Sequence, residues 1–189
     1  MERTAITSGA NPTPVDADQF GPVCPWWLNE FDRPFEHWYV LHRLNWSSSP
    51  AEAATLRLGD LGLDPGKTYL VYEFWSHQFL GSITGQMEVP AIKAMGLASF
   101  AIREQLARPQ LVSTSRHLSQ GAMDLASLEW SGKSLVGRSR VVARDRYELV
   151  VRVPAGFKFG SAEVARRPAE ARVEGELLRV AWDPEATAD

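Results

Sequence analysis

The chain has 189 residues, of which 44% are hydrophobic and 23% charged, with a net charge of −3. That length can bury about 70% of the surface in one large or two small domains, but it cannot hold a (β/α)8 barrel, typically about 250 residues, beside a second domain. The mild acidity lacks the basic excess that draws nucleic acid or anionic membrane, and no run of about 18 apolar residues is present to span a bilayer.

Residues 1–19 are polar and aperiodic and predict a disordered lead or linker. They contain no apolar stretch of the signal-peptide kind, so a cytoplasmic location is expected. Residues 20–36 combine Pro22, Pro25 and Pro34 with Trp26, Trp27, Leu28 and Phe31. The prolines predict a non-regular arm. Its apolar area must lie on the domain's own core or face another domain or subunit, with Trp26 and Trp27 as the partner-facing candidates. Cys24 is the only cysteine, so no internal disulfide can form.

From His37 to Trp46 the residues alternate, which predicts a strand with Trp38, Val40, His42, Leu44 and Trp46 toward the core. Asn45-Trp46-Ser47 has the form of a glycosylation acceptor, but a corner between strand and loop is the plainer reading. Ala51 to Leu58 is ambiguous in period between helix and strand. Asp64-Pro65-Gly66-Lys67 predicts a type II reverse turn, with Gly66 at positive φ. Thr68 to Trp75 is β-branched and aromatic, with Tyr69, Val71 and Trp75 on one face and Leu70, Tyr72 and Phe74 on the other. A strand apolar on both faces is covered on both, so this one is expected at the centre of a sheet. Further short strands follow at Phe79–Ile83, Gln86–Ile92 (an edge, because of Pro90), Met95–Arg103 and Gln110–Ser115. Leu125–Trp130 and Leu135–Ala143 bracket Ser131-Gly132-Lys133 as a hairpin. Strands around Tyr147–Val153 and Leu177–Trp182 complete the set, and residues 184–189 form a tail.

Short strands broken by Gly and Pro turns predict an all-β fold, an antiparallel β-sandwich with Greek-key connections, over residues 37–183. The carboxylates open to a glycosidase-type role are Asp60, Asp64, Glu73, Asp124 and Glu129. Such chemistry needs two of them flanking one bond, about 5–5.5 Å or 6.5–9.5 Å apart. Asp60 and Asp64 fall where Asp caps its own turn, and Glu73 sits among aromatics that favour its neutral form, beside an edge that solvates it, or against an Arg that pairs with it. His37 and His42 lie five apart in a strand, on opposite faces, and cannot chelate one ion. No metal and no cofactor are expected. Ser115-Arg116-His117 with Gln120 is a polar cluster that can hold a sugar hydroxyl or a partner's backbone, or simply brace its loop. Trp75 and His77 at a strand end can present a flat stacking face to a sugar, or belong to the core.

Four passages, in order, resemble the C-terminal β-domain of α-galactosidase (melibiase)-like glycoside hydrolases. They are Trp38–Ser47 (WYVLHRLNWS), Leu58–Gly81 (LGDLGLDPGKTYLVYEFWSHQFLG), Arg108–Gly121 (RPQLVSTSRHLSQG) and Tyr147–Gly156 (YELVVRVPAG). The resemblance implies an all-β module that supports or completes a catalytic (β/α)8 barrel, which would be its partner. The family's catalytic carboxylates lie in that barrel, so the resemblance implies a chain that is inert on its own. Carbohydrate is the implied ligand. A free-standing carbohydrate-binding module and a separately encoded glycosidase subunit are the alternatives; neither nucleic acid nor membrane is an expected partner.

Overall fold

A computed structural model describes residues 13–14 and 25–188. The described residues gather into two compact units. The first contains the described residues up to Asp32 together with His37–Gln105, and the second contains Arg33–Glu36 and residues from Leu106 onward. The expectations for residues 1–12 and 15–24, including Cys24, lie outside the described residues.

The first unit contains β1 (Thr13–Pro14), β2 (Trp26–Arg33), β3 (Glu36–Leu44), β4 (Ala54–Arg57), β5 (Thr68–Glu73), β6 (Gln78–Thr84), β7 (Gln86–Val89) and β8 (Leu97–Glu104). One sheet has the order β1-β2-β3-β8-β5-β6, and β4 pairs with β7 in a second. β1 with β2, β3 with β8, β8 with β5, β5 with β6 and β4 with β7 pair antiparallel, with Leu41 opposite Phe100 and Val71 opposite Ile102. β5, expected at the centre of a sheet, is instead an interior strand between β8 and the edge strand β6, and it is buried from Tyr69 to Glu73 because it is covered on both faces. Both faces of the six-stranded sheet are apolar along β3, so Leu41 is as buried as Trp38 and Val40, whereas Trp46, expected on the core side, is exposed because the strand ends at Leu44. On one face, Leu41, Tyr69, Val71, Phe100 and Ile102 share a core with Met87, Val89, Leu58, Leu61 and Leu63. That arrangement lays the small sheet over the large one. On the opposite face the Arg103 guanidinium stacks 4.3 Å from the centre of the Trp38 ring, a cation–π contact.

Several local expectations need correction. Trp26–Arg33, read as a non-regular arm, is a strand of eight residues. Pro25 and Pro34 stand just outside it, so the prolines bound the strand instead of breaking it. Trp26 belongs to the core, beneath the Arg43 guanidinium 4.8 Å from its ring. Gly66 does not take positive φ; the turn is held by the Gly66 N–H donating to Asp64 Oδ1 at 2.8 Å, an Asx turn in which aspartate replaces the left-handed glycine. β5 ends at Glu73, so Phe74–His77 is a turn. The residues from Ala54 to Arg57 are a strand, and Leu58–Leu61 is one turn of 3-10 helix.

Two side chains hold the loops at one end of this unit. Asn45 Nδ2 donates to the carbonyls of Ser49, Lys93 and Ile92 at 2.8, 3.0 and 3.4 Å, and its Oδ1 accepts from the Ser47 N–H at 3.1 Å. Arg43 donates to the carbonyls of Pro90 and Glu52 at 3.1 and 2.7 Å, and burial lowers its pKa. The acceptor-like triplet at Asn45 is therefore a structural corner, with its amide nitrogen already engaged.

The second unit contains β9 (Gln110–Thr114), β10 (Leu125–Trp130), β11 (Leu135–Ser139), β12 (Tyr147–Arg152), β13 (Glu163–Val164), β14 (Arg167–Pro168), β15 (Glu170–Glu174) and β16 (Leu177–Trp182). The order β15-β16-β12-β9 forms its main sheet, and β10-β11 and β13-β14 are hairpins. Leu111, Val151, Leu178, Val180 and Leu125 form its core. All pairings are antiparallel, and the all-β fold read from the sequence is the fold observed. No helix among the described residues is long and apolar enough to cross a membrane.

Candidate functional site

The turn Phe74–His77 joins β5 to β6 and projects Trp75, whose side chain remains half-exposed at 49%. It does not continue the Tyr69 and Val71 face, because the strand has already ended. Its indole Nε1–H instead reaches the opposite face and donates to Ser99 Oγ at 3.2 Å. Ser99 is buried on β8, opposite His42 of β3. His42 Nδ1 lies 2.9 Å from the same oxygen, and His42 Nε2 lies 3.1 Å from Asn29 Nδ2. Each ring nitrogen of His42 thus has a polar partner, Asn29 on one side and Ser99 on the other. The result is a connected chain Asn29–His42–Ser99–Trp75 across β2, β3, β8 and the turn.

Glu73 fixes the turn from below. Its Oε2 accepts from the Ser76 N–H and Oγ–H, each at 2.6 Å, and its Oε1 accepts from the Ser99 N–H at 2.9 Å. The carboxylate is buried and satisfied by these donors, which is how a charge survives inside a protein. The Trp75 ring is also set edge-on to Phe74 at 5.0 Å. His77 sits at φ 55 with its Nδ1 3.3 Å from the Tyr72 hydroxyl. The indole is thus pinned at its nitrogen and braced along its side, while much of it faces solvent.

In the second unit, Arg116, His117 and Gln120 follow β9. Arg116 pairs with Asp145 at 2.9 Å and lies 5.3 Å from the centre of the Tyr147 ring. Gln120 is fully buried, with Oε1 accepting from Ser113 Oγ at 2.7 Å, and takes φ 44. His117 is exposed at the turn. Next to them, Asp124 accepts from the Tyr147 hydroxyl at 2.5 Å and from the Gly121 N–H at 3.1 Å. Burial, and then the Asp124 carboxylate, push the Tyr147 pKa upward. Within the Ser-Arg-His…Gln cluster only Gln120 is buried, Arg116 is part-buried in its ion pair and His117 is exposed, and the cluster belongs to a different unit from Trp75 and His77.

The remaining carboxylates have ordinary surroundings: Asp60 is exposed in the 3-10 turn, Asp64 caps its turn, and Glu129 is exposed opposite Val136. Trp27, a partner-facing candidate, is half-buried in β2 opposite Pro14. Among the described residues no three His, Cys, Asp or Glu side chains gather closely enough to hold a metal ion.

Ser99, His42 and Asn29 were not identified as partners of Trp75 from the sequence. A signal for Ser99 was present: a serine within the otherwise apolar run Leu97–Ile102 has to be hydrogen-bonded if it is buried.

No family model matches the chain, and no curated protein matches it. Among solved structures, it is similar over 51% of its length to α-galactosidase I from Mortierella vinacea, at 17% identity and a TM-score of 0.37. It is also similar over 52% of its length to a GH27 β-L-arabinopyranosidase from Geobacillus stearothermophilus, at 14% identity and a TM-score of 0.36. The matches span 23% and 20% of those two chains.

Proposed function

We propose that the chain is a non-catalytic β-module of the kind that accompanies a glycosidase barrel, supporting or completing that barrel as its partner. The observation that carries this reading is the commitment of its best-placed carboxylates to structure. Glu73 is occupied by three donors and Asp124 by two. A general acid must release a proton and a nucleophile must expose a lone pair, and carboxylates so engaged are poorly suited to either. The four passages resembling α-galactosidase-like enzymes add the partner class.

The test has two arms. A panel of aryl α- and β-glycosides at high protein concentration is expected to give no turnover; turnover abolished by Glu73→Gln or Asp124→Asn overturns the reading. In the second arm, the chain is mixed with an α-galactosidase-type barrel stripped of its own β-domain. Co-elution with raised solubility or activity is expected, and two separate peaks with an unchanged barrel count against the proposal.

A further inference from the structure

The turn that carries Trp75 is built more rigidly than a surface turn requires. Its indole nitrogen is tied to Ser99, Ser99 is held in turn by His42 and Glu73, and the ring is braced by Phe74, yet half of the residue remains exposed. A free surface tryptophan samples rotamers and loses that freedom on binding; a pinned one has already lost it. We propose that the exposed face of Trp75 is a preorganised stacking platform for a neutral pyranose ring, with Ser99 as its positioning residue.

The chemistry of the pinning selects the ligand. Aromatic grooves that recognise extended proline-rich peptides also need donors for the peptide carbonyls. Here the indole N–H is consumed inside the unit, so the ring offers its π face and edge but no donor. Cages for quaternary ammonium ions surround the charge with several aromatic faces, whereas Phe74 meets Trp75 edge-on, at an interplanar angle of 84°. A pyranose is different: one face is lined with C–H groups that stack on a single flat ring, while its rim carries hydroxyls. The residues that follow the ring in the chain, Ser76, His77 and Gln78, are exposed; His77 and Gln78 bring imidazole and amide groups, and the Ser76 hydroxyl, which donates to Glu73, keeps its acceptor capacity. Leu97, exposed and two residues before Ser99, lies on the same face of β8 as the serine that holds the ring. This inference goes beyond the barrel-supporting reading and is independent of it, since it needs only the first unit's own side chains.

The experiment is a titration of the uniformly 15N-labelled full chain with methyl α- and β-pyranosides of galactose, glucose, mannose and arabinose, up to about 100 mM. The Trp75 indole resonance is assigned by its loss in Trp75→Phe. The expected result is a saturable shift of that resonance with at least one pyranoside. Affinity, read in the variants from the backbone amide shifts of Ser76 and His77, should fall more than about tenfold in Trp75→Ala and about three- to tenfold in Ser99→Ala, which leaves the ring in place but unpinned. A Trp75 indole that ignores every pyranoside overturns the proposal. So does a response only to choline or to a proline-rich peptide, or a Ser99→Ala variant that binds as tightly as the parent. Trp75→Phe, which keeps an aromatic face, serves if Trp75→Ala does not fold. Failure here leaves the turnover and barrel-mixing results untouched, so the two proposals stand or fall separately.

Discussion

Asn45→Asp is the most informative single change in the first unit, because it alters one atom and reverses its hydrogen-bonding role. Asn45 is 8% exposed, and its Nδ2 supplies the carbonyls of Ser49 and Lys93 at 2.8 and 3.0 Å, with Ile92 at 3.4 Å. Losing the two shorter bonds removes about 2 kcal/mol at about 1 kcal/mol each. The new carboxylate then faces carbonyl oxygens with little water, a buried charge with no partner, which raises the total to about 4 kcal/mol at pH 7. The pH dependence has a definite sign. Burial and carbonyl lone pairs push the new carboxyl's folded pKa above its unfolded value of about 4. The folded state then holds the proton more tightly, so the penalty is smallest below about pH 4 and grows as pH rises. The readout is amide hydrogen exchange at Ala51 and Ile92, which exchange backbone bonds with each other at 2.8 and 2.9 Å beside this corner, with β16 amides as an internal reference. A loss of about 4 kcal/mol speeds exchange through local opening about a thousandfold. Unchanged protection at Ala51 and Ile92 at pH 7, or a penalty that shrinks as pH rises, refutes the account of this corner.

Tyr147→Phe should cost about 2–3 kcal/mol by stripping a donor from buried Asp124, measured by urea denaturation. Because the Tyr147 pKa is raised above 10, its contribution is complete below about pH 10 and is lost as pH climbs further; the variant should therefore show a shallower alkaline decline than the parent. Ala165 and Arg166 sit at φ 50 and 64 between the paired Val164 and Arg167, so Ala165→Asn with Arg166→Gly should relieve strain and add about 1–2 kcal/mol, read as a higher urea midpoint; an unchanged midpoint counts against strain there. Glu73→Gln should destabilise by about 2 kcal/mol, because an amide NH2 must confront a donor, and should move the Trp75 indole resonance; a silent spectrum would mean that the carboxylate does not set the turn.

Sequence patterning revealed the strands wherever burial imposed a period. β5, apolar on both faces, is an interior strand, and Leu149 and Val151 of β12 pack on the second unit's core. It failed where punctuation misled. Pro25 and Pro34 suggested an irregular arm and instead bracket β2, whose pairing is decided by tertiary contacts that no local pattern carries. The β13–β14 hairpin was missed because Ala165-Arg166 has none of the usual turn residues. At the candidate site Trp75 and His77 were visible as a strand-end pair, but the partner that orients the ring lies more than twenty residues away on β8. Spacing cannot show that Arg116 is spent on Asp145 or that Gln120 is buried.

The order β3-β8-β5 has a consequence for how the first unit assembles. β8 is the last of its strands to be synthesised, yet it lies between two that precede it. Until residue Glu104 has emerged, β3 and β5 each present an open edge to the cell, the kind of edge that pairs with stray strands. Closing the sheet then means inserting one segment into a waiting slot and forming two ladders together, with Leu41 and Val71 both waiting for partners on β8. Such long-range closure is slow. Leu97–Glu104 is therefore the segment whose arrival sets the pace of folding, and a nascent chain stalled before it should be the species most in need of a chaperone.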